Sequence, residues 1–507
     1  MDLLASLALG FSVSLAPANL FFCLVGVSLG LVVGILPGLG SAATIALLLP
    51  ITYTLGTTSA IIMLAGIWYG SMYGGSITAI LLRVPGESAA VMTTLDGYEL
   101  AKQGRAGPAL GMSIFASFIA GIAGLVGLVA LAPPLADFAL HFGPPEYFAL
   151  ALAGLTLVSY LAGDSILKAL VATTAGLLLG SIGLDPVESA SRFTYGSLFL
   201  QTGLDLVPMV MGLFGLAEVF AMIEARTAIR PAVAAPRGIM ASLPDRADWR
   251  EAALPTAQGT AIGFVVGLLP GAGATISSYV AYALAKRWSA TPERYGTGAI
   301  GGVAAPEAAN NSATASGFIP LLTLGLPANV VMALMLGAFL LHGVTPGPIM
   351  LAQRPDMFWG IVTSMFVGNV MLVVLMLPLI GALARIATLP TTVVVPVVVL
   401  VCLAGAYGVN NNPHDILAMT GFGALGYLMG KFGYPAAPLV LGFVLGPLLE
   451  QSLRQSLIMS HADVTIFATR PISAAILAGA LFVVVQPLAR RLAQGWRKQR
   501  AESLPPR

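Results

Sequence analysis

Two near copies of one unusual string, Gly34-Ile35-Leu36-Pro37-Gly38-Leu39-Gly40-Ser41 and Gly267-Leu268-Leu269-Pro270-Gly271-Ala272-Gly273-Ala274, interrupt long apolar runs in the two halves of the chain. Proline has no N–H to donate and glycine permits positive φ, so a continuous helix fails at both places. Backbone dipoles freed in an apolar surrounding are tolerated only where protein or a water-filled cavity satisfies them. Paired interruptions at corresponding positions of two halves therefore point to a transporter's binding site.

The surrounding sequence fixes the solvent. Of 507 residues, 57% are hydrophobic and 9% charged, against about a quarter charged in soluble domains. Apolar runs of spanning length recur along nearly the whole chain and predict an all-α polytopic membrane protein with about 11–13 transmembrane or half helices. A net charge of +2 offers nothing to a nucleic acid or another acidic polymer. Arg490, Arg491, Arg497, Lys498, Arg500 and Arg507 crowd the C-terminal end, and five arginines lie between Arg226 and Arg250. By the positive-inside rule both segments are cytoplasmic. Cys23 and Cys402 sit in apolar runs without ligand-like spacing and read as buried small hydrophobes, not as a disulfide. Asp2, with no early Lys or Arg, argues against a cleaved signal peptide.

The organisation expected is an amphipathic N-terminal segment (1–17), a first transmembrane half (18–225) with a repeat unit at 34–110, and a cytoplasmic basic connector (226–254). A second half (255–489) with a repeat unit at 267–348 and a cytoplasmic basic tail (490–507) complete it. Ala42 to Pro50 is too short to cross about 30 Å of hydrocarbon and reads as a half or re-entrant helix. Residues 84–107, with Glu87, Asp96, Glu99, Lys102 and Arg105, read as a polar connector at the membrane surface. Beyond the breaks, Gly75-Ser76-Ile77-Thr78 pairs with Asn311-Ser312-Ala313-Thr314 and, after a short insertion, Leu82-Arg83-Val84-Pro85 with Leu324-Gly325-Leu326-Pro327.

Enzymatic motifs are missing: there is no His-Glu-x-x-His and no Gly-x-Ser-x-Gly. Gly430-Lys431 lacks the rest of a P-loop, with Leu425 at its first glycine and Phe432 at its Ser/Thr, so an ion gradient and not an ATPase is the expected driver. Glycine N–H groups at the start of each post-break half helix would meet an anion, the helix dipole adding about half a positive charge. The substrate-binding candidates are Gly38, Gly40, Ser41, Gly75, Ser76, Gly271, Gly273, Asn310, Asn311 and Ser312. Hydroxyl and amide oxygens in apolar stretches suit a hard monovalent cation, which makes Thr78, Asn311 and Thr314 candidates for sodium. Interhelical hydrogen bonding is the competing reading of those polar groups. Glu307 is the carboxylate candidate for ion or proton coupling, with a helix cap or a cytoplasmic position as alternatives. Asp164 and Lys168, four apart, read as a local pair.

Gly34-x-x-Pro37-Gly38-x-Gly40, Tyr73-Gly74-Gly75-Ser76-Ile77, Asp96-Gly97-Tyr98, Pro306-Glu307-Ala308-Ala309-Asn310-Asn311, His342-Gly343-x-x-Pro346-Gly347-Pro348 and Gly446-Pro447-Leu448-Leu449-Glu450 occur in this order. In these motifs the chain resembles the large membrane subunit of the tripartite tricarboxylate transporter family, a TctA-type permease. The resemblance implies a secondary transporter of the bacterial inner membrane that takes up a di- or tricarboxylate, with sodium as coupling ion and no other cofactor. It implies two partners, a small four-helix membrane subunit and a periplasmic substrate-binding protein that delivers the carboxylate. An anion channel and a non-transporting membrane scaffold stay open as alternatives.

Overall fold

The computed structural model describes residues 2–36, 39–161, 165–185, 188–225, 238–271, 273–386 and 389–482. Pro37, Gly38, Asp164, Ala272, residues 226–237 of the basic connector and the basic tail lie outside the described residues, and so does the expected Asp164–Lys168 pair. The first half opens with α1 (Leu3–Ser14) and α2 (Pro17–Ile35); past the first break come α3 (Gly40–Leu48), a 3₁₀ turn over Leu49–Thr54 and α4 (Thr57–Leu82). A tight loop leads to α5 (Thr93–Leu100) and the long α6 (Ala106–Ala139), then α7 (Pro144–Leu161) and α8 (Ile166–Gly180). Two short antiparallel strands, β1 (Gly183–Leu184) and β2 (Ser191–Arg192), precede α9 (Leu198–Gln201), α10 (Leu206–Val210) and α11 (Ala217–Ala225).

In the second half, α12 (Arg246–Gly267) runs into the second break, and α13 (Gly273–Trp288), α14 (Gly301–Ser316), α15 (Phe318–Leu324) and α16 (Val330–Leu341) follow. The chain ends through α17 (Pro348–Gln353), α18 (Pro355–Ile386), α19 (Thr391–Asn410), α20 (Pro413–Lys431), α21 (Ala436–Met459), α22 (Ile466–Thr469) and α23 (Pro471–Phe482). Among the described residues seven helices are long and apolar enough to cross a membrane, and five further apolar helices have 10–17 residues. The larger number expected from hydropathy counted such short helices with the full crossings.

Small residues decide how the helices around each break pack. Gly26, Gly30 and Gly34 of α2 rest on the backbone at Met63, Ile67 and Ser71 of α4, and a Cβ at any of them would strike a carbonyl oxygen. Gly259, Gly263 and Gly267 of α12 rest likewise on Ala305, Ala309 and Ala313 of α14. Both ladders advance four residues at a time on both helices, so each pair runs parallel, at the close approach that small residues permit in membranes. Parallel neighbours joined through a break require the chain to turn back between them. Accordingly, Ser59 at the start of α4 donates to Asn19 at the start of α2 (2.5 Å), and Arg294, just past α13, pairs with Glu251 at the start of α12 (2.9 Å).

The two break-bearing segments finish at different neighbours. α5 ends against the entry to α14, where buried Asp96 accepts N–H groups from Gly296, Gly298 and Ala299 and the Tyr282 hydroxyl. α16 ends instead at the turn before α4, with His342 Nε2 3.2 Å from Thr52 Oγ1. Far from both, the β1–β2 turn is tied to α21 by Arg192 and Arg454, which share Asp185 and Glu450.

Three stretches carry detail beyond the sequence reading. Within the 84–107 connector Lys102 and Gln103 are exposed, but Glu87 and Asp96 are buried, because each carboxylate accepts backbone N–H groups that would otherwise be unpaired. Helix α12 begins at Arg246, inside the expected basic connector, because Asp245 and Asp248 form a reciprocal capping box that starts it among charged residues. In α1 the amphipathicity is reversed: small Ser6, Gly10 and Ser14 pack on α18, whereas Leu3, Leu4 and Leu15 are exposed. That is the pattern of a helix whose outside is apolar.

The glycine ladder predicts that Gly34→Ala destabilises the protein by about 1–3 kcal/mol, since its Cβ overpacks a backbone contact. Gly408→Ala on α19, where nothing lies within 4 Å, is the control. Thermal unfolding of the detergent-solubilised protein should separate the two, and coincident transitions would remove the ladder's role.

Candidate functional site

Each break restarts a helix through a glycine of positive φ, Gly40 at +51° and Gly273 at +55°, with Gly271 at +85° just before the second. A side chain at these positions would be strained whatever the space around it. The first turns are then locked alike, Thr44 Oγ1 donating to the Gly40 carbonyl and Ser277 Oγ to that of Gly273, both at 2.8 Å.

A second pair of turns packs against the breaks. Arg83 closes α4 at φ +59° and Gly325 closes α15 at φ +70°. From there Pro85-Gly86-Glu87 and Pro327-Ala328-Asn329 run to the tips of the two broken helices. The tip of α3 receives a carboxylate: Glu87 Oε1 accepts from Ser41 N at 2.5 Å, and Glu87 is only 8% exposed. The tip of α13 receives neutral groups. Gly271 N donates to the Ala328 carbonyl (2.6 Å), and the Asn329 side chain is what a Cβ at Gly273 would meet, at 3.8 Å, while its Oδ1 caps α16 through Met332 N (3.0 Å).

The two tips meet. Ser88 Oγ, next to Glu87, and Thr275 Oγ1, in the first turn of α13, are 2.8 Å apart. They share a cavity of about 1010 Å³ lined by Gly40, Ser41, Gly86, Glu87, Gly271, Gly273, Thr275 and Asn329 on one side and by α11, α20 and α21 on the other. Its volume suits a small organic ligand. The charged lining residues are Glu87, Glu218, Glu224 and Lys431, and Lys431 is paired with Glu224 at 2.7 Å. Trp68 lines the cavity too, and among the described residues its buried indole N–H has no partner.

Of the sequence candidates, Gly40, Ser41, Gly271 and Gly273 line this cavity, and Gly38 lies outside the described residues. Gly75 sits directly beneath Glu87, whose Cβ would be 3.0 Å from a Cβ there. The hydroxyls of Ser76 and Thr78 are used inside α4, donating to the Tyr73 and Gly75 carbonyls. Asn310, Asn311, Ser312 and Thr314 belong to a separate buried group on α14. There Glu307 lies inside α14 and not at its cap: fully buried, it accepts from Thr93 Oγ1 (2.5 Å) and Asn310 Nδ2 (3.2 Å). Asn311 donates to the Asn310 side chain and the Glu307 carbonyl, and Thr314 to the Asn310 carbonyl. Ser312 turns the other way, onto the Thr260 carbonyl and an apolar groove of about 740 Å³ between α6 and α12.

Gly75–Thr78 and Asn311–Thr314, paired by sequence, do not occupy matching rungs of the two glycine ladders. The ladders put Ser71 where Ala313 stands, and the caps put Arg83 where Gly325 stands, one constant spacing with no insertion. On that spacing Gly75 answers to Gly317, and Glu87 to Asn329. The residues missed, Glu87, Asn329, Ser88 and Thr275, had a signal within reach: Glu87 and Asn329 each lie two positions past a proline already matched between the halves.

Comparison with known proteins places these features in one family. The model of the tripartite tricarboxylate transporter TctA family matches residues 20–441. An uncharacterized 52.8 kDa protein in the TAR-I ttuC' 3' region of Agrobacterium vitis is 47% identical over 485 residues, 96% of each chain. An uncharacterized protein in the TAR-II ttuC' 3' region of the same organism is 48% identical over 226 residues, 45% of this chain and 93% of its own. No solved structure matches.

The Ser88–Thr275 contact predicts that the double variant Ser88→Cys, Thr275→Cys forms a disulfide under mild oxidation, since touching side chains satisfy the reach of such a bond. Loss of free thiol in the double variant beyond that of either single variant checks it; labelling of both cysteines after oxidation would mean that the tips stay apart.

Proposed function

The chain belongs to the tripartite tricarboxylate transporter TctA family, as a multi-pass permease subunit and not an enzyme, and from that premise we propose that it moves a di- or tricarboxylate through the cavity between the two breaks. The observation that carries the reading is the meeting of both helix tips in one cavity, joined by Ser88 and Thr275. A carboxylate there meets the N–H groups that begin α13 together with the Asn329 amide and the Trp68 indole N–H, none of which carries a full charge.

The two break-bearing segments are inverted copies of one unit, each folded as a re-entrant hairpin followed by a helix parallel to its first arm. Support comes from the matching glycine ladders, the matching caps at Arg83 and Gly325, and the opposed ends of α5 and α16. Two inverted units around one site provide the two equivalent routes that alternating access requires. The arginines near 226–250 and the basic tail support a cytoplasmic end for α11 under the positive-inside rule. The cavity, which reaches Glu224 near that end, then opens inward.

Uptake is driven by the sodium gradient. Glu307, with Asn310, Asn311 and Thr314 around it, supplies a buried carboxylate and neutral oxygens for the ion, and Thr93 ties this group to the segment that carries Glu87 and Ser88. Thr78 on α4 and Ser76 beside it stay with the wall that faces the first tip. A periplasmic binding protein delivers the substrate, and a small four-helix membrane subunit completes the transporter in the bacterial inner membrane.

Proteoliposomes containing all three subunits test the reading. Uptake of labelled citrate or succinate is expected to saturate, to need the binding protein and to rise with an inward sodium gradient; non-saturating flux indifferent to the gradient would indicate a channel. Asn311→Ala should weaken the apparent sodium affinity at least several-fold, because it removes two hydrogen bonds from the Glu307 group. An unchanged sodium curve would return that group to a packing role.

A further inference from the structure

The cavity presents a problem for an anion carrier. Among the described residues its charged lining is Glu87, Glu218, Glu224 and Lys431, so carboxylates outnumber the lysine there, which is itself bound to Glu224. Glu87 is the innermost of them in the sense that matters, since it already occupies the place an anion would take at the tip of α3. The equivalent place at the tip of α13 holds neutral Asn329, whose oxygen is turned away to Met332 N. The two tips are thus electrostatically unlike although their backbones are alike. They are also adjacent, because the Ser88–Thr275 bond brings the residue after Glu87 onto the first turn of α13.

A carboxylate on α13 therefore faces a fixed carboxylate on α3 across a cavity with low-dielectric walls. Like charges at such range disfavour one another strongly unless a cation stands between them or one is protonated. Oxygen groups for a cation are present around Glu87: the hydroxyls of Ser41 and Ser71 lie beside its carboxyl, and the carbonyl of Gly34 is at the neighbouring Gly86. Among the described residues no lysine, arginine or histidine forms an ion pair with Glu87. The buried N–H of Trp68, unpaired among the described residues, is a separate sign that a ligand with an acceptor oxygen belongs in the same space.

We infer that Glu87 is the residue that makes carboxylate binding conditional on a small monovalent cation, sodium or a proton, held at the tip of α3 while the substrate carboxylate takes the tip of α13. This rests on the carboxylate-permease reading above and adds a cavity site to the Glu307 group. Ordering follows from the electrostatics: the cation neutralises Glu87 first, and the anion binds only then. Glu87 also belongs to the segment that continues to Thr93 and so to Glu307, which gives the neutralised tip a mechanical route to the helix interior.

Glu87→Gln keeps an acceptor for Ser41 N and removes the charge. In proteoliposomes with all three subunits, citrate and succinate binding is expected to lose at least tenfold of its dependence on sodium at fixed pH, or on pH at fixed sodium. The series that changes identifies the cation. Substrate exchange across the membrane should continue while gradient-driven accumulation is lost, and Glu87→Asp should restore the cation requirement. Asn329→Asp, which places a second carboxylate at the other tip, should raise the cation concentration needed at least tenfold. Wild-type cation dependence in both Glu87→Gln and Asn329→Asp would overturn the inference and leave the permease reading standing. Failure of the wild-type complex to take up either acid would instead remove the permease reading itself.

Discussion

A main-chain N–H that loses its helical partner inside an apolar bundle must find another acceptor, and the cost of failing is about 1–3 kcal/mol per group or more. That constraint shapes the centre of this protein. At the first break the acceptor is the Glu87 carboxylate on Ser41 N; at the second it is the Ala328 carbonyl on Gly271 N, with Asn329 close to Gly273. The first acceptor comes from the loop that follows α4, the second from the loop that follows α15, the short helix after α14. The breaks are therefore held by their own segments, and the first turn of α13 lines a cavity.

Holding those loops in place falls to residues that lack bulk. The ladder of Gly26, Gly30 and Gly34 lets α2 lie against the carbonyls of α4, and Gly259, Gly263 and Gly267 do the same for α12 on α14. With lipid-like surroundings giving no hydrophobic drive between helices, close backbone contact and interhelical hydrogen bonds supply the association. Asp96 shows the polar side of this: one buried carboxylate collects three backbone N–H groups and a tyrosine hydroxyl, fixing the entry to α14 and with it Glu307. Two carboxylates only nine residues apart, Glu87 and Asp96, thus bind one loop to both broken segments.

The same physics explains what the sequence let one read. Pro37-Gly38 and Pro270-Gly271 announce helix failure by chemistry that needs no neighbours, and Asn411 with Asn412 likewise closes α19 and opens α20 by local capping. The free, buried Cys23 and Cys402 follow from their apolar runs. Polar side chains in apolar stretches were harder, because a hydroxyl that faces a ligand and one that returns to its own helix carbonyl look identical in one dimension. Ser76, Thr78 and Thr314 turned out to be of the second kind, donating three or four residues back. Glu87 was misread for the opposite reason: a glutamate after Pro-Gly has the composition of a surface turn, and only its contact with Ser41 from forty-six residues away makes it interior.

By itself the sequence determined the apolar solvent, the two places where helices fail, and the family, since these depend on composition, on the missing N–H of proline and on motifs in fixed order. Tertiary structure decided which groups meet: that the two tips share a cavity, that one receives a carboxylate and the other a main-chain carbonyl, and that the Asn310–Asn311 group lies apart from both. The division has a physical cause. Helix breaking is a local property of a few residues, whereas the satisfaction of a freed N–H comes from whatever acceptor the packing of distant helices brings within about 3 Å.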